Sequence, residues 1–288
     1  MAENIIVVGG SAGAVEALKA LVQGLPKELA APMLVVVHLP PSSPGRLPEI
    51  LQRHTALPVA WATDGEVIMP GHIYLAPPDR HLLVEDGELR LTRAPRENHS
   101  RPAIDPLFRS AALAYGPRVI AVVLSGRLDD GTAGLWAVKE RGGVAVVQDP
   151  DEASHSDMPR NALEYTDADH IVPSAQLGPL LARLVGGPAT SNGKPASPQL
   201  ELEVRIALEA DALRSSVLSM GPATPYTCPE CREVLMRVDQ GGIPRFRCLT
   251  GHAYALDSLL ATVDPRFEQE AREAQARAEL NREAVRNH

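Results

Sequence analysis

Aromatic residues are scarce in this 288-residue chain, at 3%. With 44% hydrophobic residues a real core can still form, but it must be built mostly from Val, Leu, Ile and Ala. Cysteine is also rare. The three present, Cys228, Cys231 and Cys248, fall in one short stretch, an odd number that points away from a disulfide framework and towards metal. No run approaches the ~18 consecutive apolar residues of a transmembrane helix. The N-terminus lacks the basic-then-apolar layout of a signal peptide. Excess positive charge is missing too: the net charge is −8, which argues against general binding of nucleic acid. These absences predict a cytoplasmic protein that inserts in no membrane and binds no nucleic acid.

What is present is an alternation of short apolar runs with helical patterns. The runs "IIVV" (5–8), "MLVVV" (33–37), "VIAVVLSG" (119–126) and "VAVVQDP" (144–150) are continuous and β-branched, as in strands buried on both faces. Helical segments follow at 14–22, 47–53, 104–116, 134–143 and 178–185. This order predicts an α/β fold, a doubly wound and mostly parallel sheet. Asp86-Gly87 sits between two alternating runs in "HLLVEDGELRLT", the signal of an antiparallel hairpin. The pattern ends near residue 185. A Gly-, Pro- and Ser-rich stretch (186–199) reads as a linker. Residues 200–288 then read as an amphipathic helix (about 200–218), a zinc-ribbon-like module and a charged helix (about 265–287) held by i,i+4 pairs.

The first strand runs into "GGSAG". Read from Gly9 this is G-x-S-x-G, a nucleophile on a sharp strand-to-helix turn. The same turn fits a phosphate cradle at a helix start, or small residues that let helix and strand pack closely. The other strand ends narrow the choice. In a parallel sheet all C-terminal strand ends share one edge, where ligands bind. Ser11 follows the first run, His38 the second, and Asp129 and Asp130 the run at 119–124. Serine, histidine and acid are the inventory of an acyl-transfer triad. A nucleotide site would instead want a ribose-binding acid where His38 stands. Asp129 or Asp130 could alternatively cap the helix starting near Thr132.

The stretches "IIVVGGSAGAVEAL", "VVVHLPP", "GHIYLAPPDRHLLVE", "RPAIDPLFRSAA", "VVLSGRLDDGTAGL" and "DMPRNAL" occur in an order that makes residues 1–185 resemble the catalytic domain of the chemotaxis protein-glutamate methylesterases, the CheB family. The resemblance implies hydrolysis of glutamate γ-methyl esters on the cytoplasmic helices of methyl-accepting chemoreceptors, and deamidation of receptor glutamines. It implies Ser11 as nucleophile, His38 as general base and Asp130 as orienting acid. Backbone N–H groups of Ala12 and Arg127 are the implied oxyanion donors, and no catalytic cofactor is expected. Asp129 stands where the family usually has Asn, Leu128 where it often has Gly, and Ala12 where Thr is common. The receiver domain that many such enzymes carry before the first strand is not expected. A competing reading is a catalytically weak signalling module that acts through its C-terminal tail.

That tail contains Cys228-x2-Cys231 and, sixteen residues on, Cys248-x3-His252. Gly241-Gly242 marks a hairpin between the pairs. The spacing predicts a closed, structural Cys3His zinc site. Its expected role is a rigid surface for a partner, such as a receptor methyltransferase or another signalling protein.

Overall fold

The computed structural model describes residues 4–43, 45–187, 193–208 and 217–262. The charged helix expected over 265–287 lies outside the described residues, as do 188–192 of the expected linker and 209–216 of the expected amphipathic helix.

The first half of the chain winds as β1 (Ile5–Gly10), α1 (Ala14–Gln23), β2 (Met33–Val37), α2 (Leu47–Gln52), β3 (Val59–Trp61), β4 (Ile73–Leu75), the hairpin β5 (His81–Glu85) and β6 (Glu88–Thr92), and α3 (Ile104–Tyr115). It continues with β7 (Val119–Val123), α4 (Thr132–Glu140), β8 (Val144–Gln148), α5 (Asp157–Tyr165), β9 (His170–Val172) and α6 (Ser174–Val185). Seven strands form one parallel sheet in the order β3-β4-β2-β1-β7-β8-β9. The short edge strands β3 and β9 have no long apolar run, so the sequence pattern passes over them.

Side chains alternate across this sheet, as a two-residue period requires. Ile5 and Val7 of β1 join Leu34, Val36 and Phe108 on one face. Ile6 and Val8 join Met33, Val35 and Leu18 on the other. Both faces are therefore buried, which is why the strands read as continuous apolar runs. Asp86 and Gly87 turn β5 into β6 with φ of 50° and 84°, the left-handed pair of a type I′ turn.

The chain then forms α7 (Pro198–Leu208), which begins inside the stretch read as linker, and a four-stranded antiparallel sheet. Its strands are β10 (Ala223–Thr227), β11 (Val234–Gln240), β12 (Ile243–Cys248) and β13 (Ala253–Ala255), followed by the short helix α8 (Leu256–Leu260). Gly241 and Gly242 make the β11–β12 turn, again left-handed at both positions.

This C-terminal unit packs onto the first. Leu200 and Val204 of α7 complete the core beneath α3. Beside them lies a buried ion cluster. Glu97 and Arg109 come from the large sheet's domain, Glu203 from α7, and Arg245 and Arg247 from β12. Arg109 Nη2 lies 2.5 Å from Glu97 Oε2, Arg247 Nη2 2.8 Å from Glu97 Oε1, and Arg245 Nη1 3.0 Å from Glu203 Oε1; Arg247 also pairs with Glu203.

Candidate active site

The sheet order reverses direction between β1 and β7, so the crevice at their C-terminal ends is the topological switch point. The parallel register sets Gly10 against Val37 and Gly9 against Val123. The residues that leave these strands, Ser11 and His38, therefore emerge side by side. His38 N donates to Gly10 O at 3.2 Å, and Ser11 N to Ser125 O at 2.9 Å. Gly13 takes φ of 79° ahead of α1, a conformation that favours glycine. Gly9 is needed for packing as well: a Cβ there would lie 2.2 Å from Ile104 Cγ2. The small residues of the turn thus serve close packing and also bring Ser11 to the edge.

His38 Nε2 donates to Asp130 Oδ2 at 2.7 Å. The histidine side chain is 20% exposed and the aspartate 2%. With Nε2 engaged, Nδ1 is the ring nitrogen left for chemistry. Asp130 is held by three further donors: Ile104 N on Oδ2 (2.7 Å), and Asn98 Nδ2 (2.8 Å) and Asp105 N (3.3 Å) on Oδ1. Burial pushes this carboxyl up, but the hydrogen bond and charge of His38, with Ile104 N–H and Asn98, outweigh it and leave it below its ordinary value. Its neighbour Asp105 moves the other way. Burial, and then the charge of Asp130, raise it to about 6. Two carboxyls facing one asparagine are thereby driven apart.

Asp129 does cap a helix, though not the one after it. Helix α4 starts from Gly131 without a side-chain cap. The Asp129 carboxylate instead accepts Asp257 N (2.9 Å), Ser258 N (3.2 Å) and Ser258 Oγ (2.5 Å) at the start of α8. Asp129 therefore ties the loop before α4 to the C-terminal unit. Burial raises its pKa to about 7 against the help of Ser258. Between pH 4 and 7 the folded state then holds a proton here that the unfolded state has released. Stability from this group is complete below about pH 4 and is lost as pH rises to 7. Asp129→Asn keeps an acceptor but cannot titrate. The stability difference, wild type minus variant, is expected to fall by up to about 1.4 kcal/mol per pH unit across this window and to stay level above it. Urea denaturation at pH 5, 6, 7 and 8 measures it; a level difference throughout would contradict it.

The loop between the strand and α4 carries the other expected residues. Leu128 takes φ of 61°, left-handed, at the position where glycine would be unstrained, and Asn161 Nδ2 holds its carbonyl at 3.0 Å. Arg127 is exposed at the rim. Among the described residues the amides of Ala12 and Arg127 find no acceptor, whereas the Ala12 carbonyl is fixed by Ser125 Oγ at 2.8 Å. The stretch 158–162 is the start of α5, with Pro159 in its first turn, and Met158 packs over Gly126.

The cysteine cluster also comes together. The ligand atoms of Cys228, Cys231, Cys248 and His252 lie within 4.8 Å of one another. Cys231 Sγ is 3.5 Å from Cys248 Sγ, and His252 Nδ1 is 3.7 and 3.5 Å from Cys228 and Cys248 Sγ. Tetrahedral zinc with bonds of about 2.3 Å to sulfur and 2.0 Å to nitrogen needs separations close to these. The far nitrogen of His252 faces Glu230 Oε2 at 3.3 Å, the carboxylate partner usual behind a ligating imidazole.

Asn98, Asp105 and the amide of Ile104 are absent from the sequence expectations. Each lies in a segment whose role depends on where α3 meets β7. The only local sign is the polar "ENHS" stretch just before "RPAIDPLF".

A doubly wound sheet whose switch point gathers a serine, a histidine and a buried aspartate defines an α/β protein of the ester-hydrolase class. The model of the CheB methylesterase family matches residues 6–181, and the chain belongs to that family. A Leptospira interrogans relative is 39% identical over 180 residues, covering 62% of this chain and 93% of its own length. A Xanthomonas euvesicatoria protein-glutamate methylesterase/protein-glutamine glutaminase is 38% identical over 175 residues, covering 59% of this chain; the match spans 49% of that longer protein. The crystal structure of the Thermotoga maritima CheB methylesterase catalytic domain superposes with a TM-score of 0.61 at 34% identity, over 63% of this chain and 98% of that one. The family match ends at residue 181, ahead of the C-terminal unit. Among the described residues no helix is long and apolar enough to cross a membrane.

Proposed function

We propose that this chain hydrolyses glutamate γ-methyl esters on the cytoplasmic helices of methyl-accepting chemoreceptors, and deamidates receptor glutamines at the same site. The observation that carries the reading is the His38–Asp130 pair at 2.7 Å beside Ser11, at the switch point of a CheB-family sheet. The relatives' names supply the substrate class.

Ser11 Oγ attacks the ester carbonyl carbon while His38 Nδ1 takes its proton. Asp130 accepts Nε2–H, which fixes the tautomer and stabilises the imidazolium. The carbonyl oxygen becomes an oxyanion held by the amides of Ala12 and Arg127, which have no other acceptor among the described residues. Collapse breaks the C–O bond, and the imidazolium protonates the departing methoxide to methanol. Water, deprotonated by His38, then attacks the acyl-serine; the bond to Ser11 Oγ breaks, the imidazolium returns the proton to Oγ, and the glutamate carboxylate is freed. With glutamine the leaving group is ammonia. The test is methanol release from methylated receptor membranes. Ser11→Ala is expected to lower kcat by about 10^4-fold or more. Wild-type inactivity on methylated receptors, or full activity of the folded variant, would sink the esterase reading and favour a binding role.

The second part of the reading is a structural zinc ion on Cys228, Cys231, Cys248 and His252. Four protein ligands close the shell, so the ion organises β11–β13 and leaves no open position for substrate. The purified chain is expected to hold one equivalent of zinc. Cys231→Ser should release it and lower Tm by several degrees, because metal binding here is folding energy. Metal analysis beside a thermal melt checks this; a zinc-free wild type of unchanged Tm would refute it.

A further inference from the structure

The C-terminal unit reaches the catalytic acid through one side chain. Residues 96–98 run beside β13 as an added edge: Ala253 N donates to Arg96 O at 3.2 Å, and Asn98 N to Ala253 O at 2.8 Å. The Asn98 side chain then spans the seam. Its Oδ1 accepts Ala255 N at 2.8 Å, and its Nδ2 donates to Asp130 Oδ1 at 2.8 Å and to Asp105 Oδ2 at 3.2 Å. The amide can face only this way, since a backbone N–H requires the oxygen on one side and carboxylates require the nitrogen on the other. Asn98 and His99 both take left-handed φ, 48° and 62°, and His99 Nε2 bonds Ser258 O at 2.7 Å. Such a paired left-handed segment persists only where its surroundings hold it, and here the surroundings are β13 and α8. Strand β13 starts one residue after His252, and its Tyr254 hydroxyl meets Cys228 Sγ at 3.2 Å.

We propose that Asn98 is a positioning residue for Asp130 and that the C-terminal unit, through β13, holds it in place, so that this unit is a working part of the esterase. The proposal rests on the triad reading above. It assigns the unit a role inside the chain: its β13 edge and the start of α8 are used to brace the acid. Without Asn98, Asp130 Oδ1 keeps only the longer bond from Asp105 N, and the carboxylate is free to turn about the pair it makes with His38 and Ile104.

The test uses the full metal-loaded chain. Asn98→Ala is expected to lower kcat about 10- to 100-fold, the scale of a small misplacement of a catalytic group, with KM within twofold. Proton NMR of the hydrogen shared by His38 and Asp130 gives a second readout that needs no turnover. Its downfield resonance should shift or broaden in Asn98→Ala. Chelating the metal from the wild type should move the same resonance, and should add little in Asn98→Ala. A residue that only supports the fold would lower Tm but leave kcat and the resonance of the folded protein unchanged, and that result overturns the proposal. A wild-type resonance indifferent to chelation would sever the unit from the acid and overturn it equally. Should Asn98→Ala not fold, Asn98→Ser, too short to span both partners, carries the same expectations. If wild type shows no ester turnover, the catalytic reading fails while the resonance still reports on Asn98.

Discussion

Asp130→Asn is expected to lower kcat about 10^4-fold, the scale seen when the acid of a serine triad becomes an amide. The loss follows from four donors around one carboxylate. Oδ2 accepts His38 Nε2 and Ile104 N, and Oδ1 accepts Asn98 Nδ2 and Asp105 N. An asparagine must turn its NH2 toward one of these pairs. Facing His38, it forces the imidazole to accept through Nε2 and carry its proton on Nδ1, so the base is spent before Ser11 arrives. Facing Asn98 and Asp105 N–H, it sets donors against donors in a dry site, at about 1–3 kcal/mol for each group left unsatisfied. Either outcome is harmful, and the first removes catalysis directly. Single-turnover kinetics on methylated receptor, with Tm measured beside it, separates the two. A variant within tenfold of wild type would remove Asp130 from the mechanism.

Glu203→Ala should destabilise the protein by about 3–5 kcal/mol, because it breaks a buried ion network from one side. Glu97 and Glu203 together face Arg109, Arg245 and Arg247, and all five side chains are buried. Removing Glu203 leaves Glu97, with Asp105 4.0 Å from Arg109 Nη1, facing three guanidinium groups that cannot shed their charge. Burial alone would raise the Glu203 carboxyl, but Arg245, Arg247 and Arg109 overcome it and hold it at about 2. Between 2 and its ordinary 4.5 the unfolded state therefore binds the extra proton. The contribution is complete above pH 4.5 and is lost as pH falls toward 2. Urea denaturation should show a large gap between wild type and Glu203→Ala at pH 7 and a smaller one at pH 3. A gap below 1 kcal/mol at pH 7 would mean the seam is held by apolar packing of Leu200 and Val204 instead.

These two sites differ in how visible they are in the sequence, for a physical reason. Continuous β-branched runs identify strands buried on both faces, and parallel strands bring all their C-terminal ends to one edge. Ser11, His38 and the Asp129-Asp130 pair could therefore be placed together without coordinates. The spacing Cys228-x2-Cys231 and Cys248-x3-His252 is equally local, since each pair lies within one turn of chain and the hairpin between them closes the set. The fold class, the strand ends and the candidate metal ligands belong to this legible part. The family resemblance of "VVLSGRLDDGTAGL" already pointed to Asp130 as the acid, but strand-end position alone left Asp129 and Asp130 equivalent, and only tertiary structure gave Asp129 its task. Asp129 caps α8, more than a hundred residues away, while Asp130 meets His38. The burial of Arg109, Glu203, Arg245 and Arg247 was hidden for a related reason. Charged residues on a helix or strand read as a solvated face, and only a facing set of opposite charges makes their burial tolerable. Asn98 shows the limit most clearly. Its importance lies in three hydrogen bonds to Ala255, Asp130 and Asp105, partners that sequence order scatters and that only the docking of the C-terminal unit on the large sheet brings within reach.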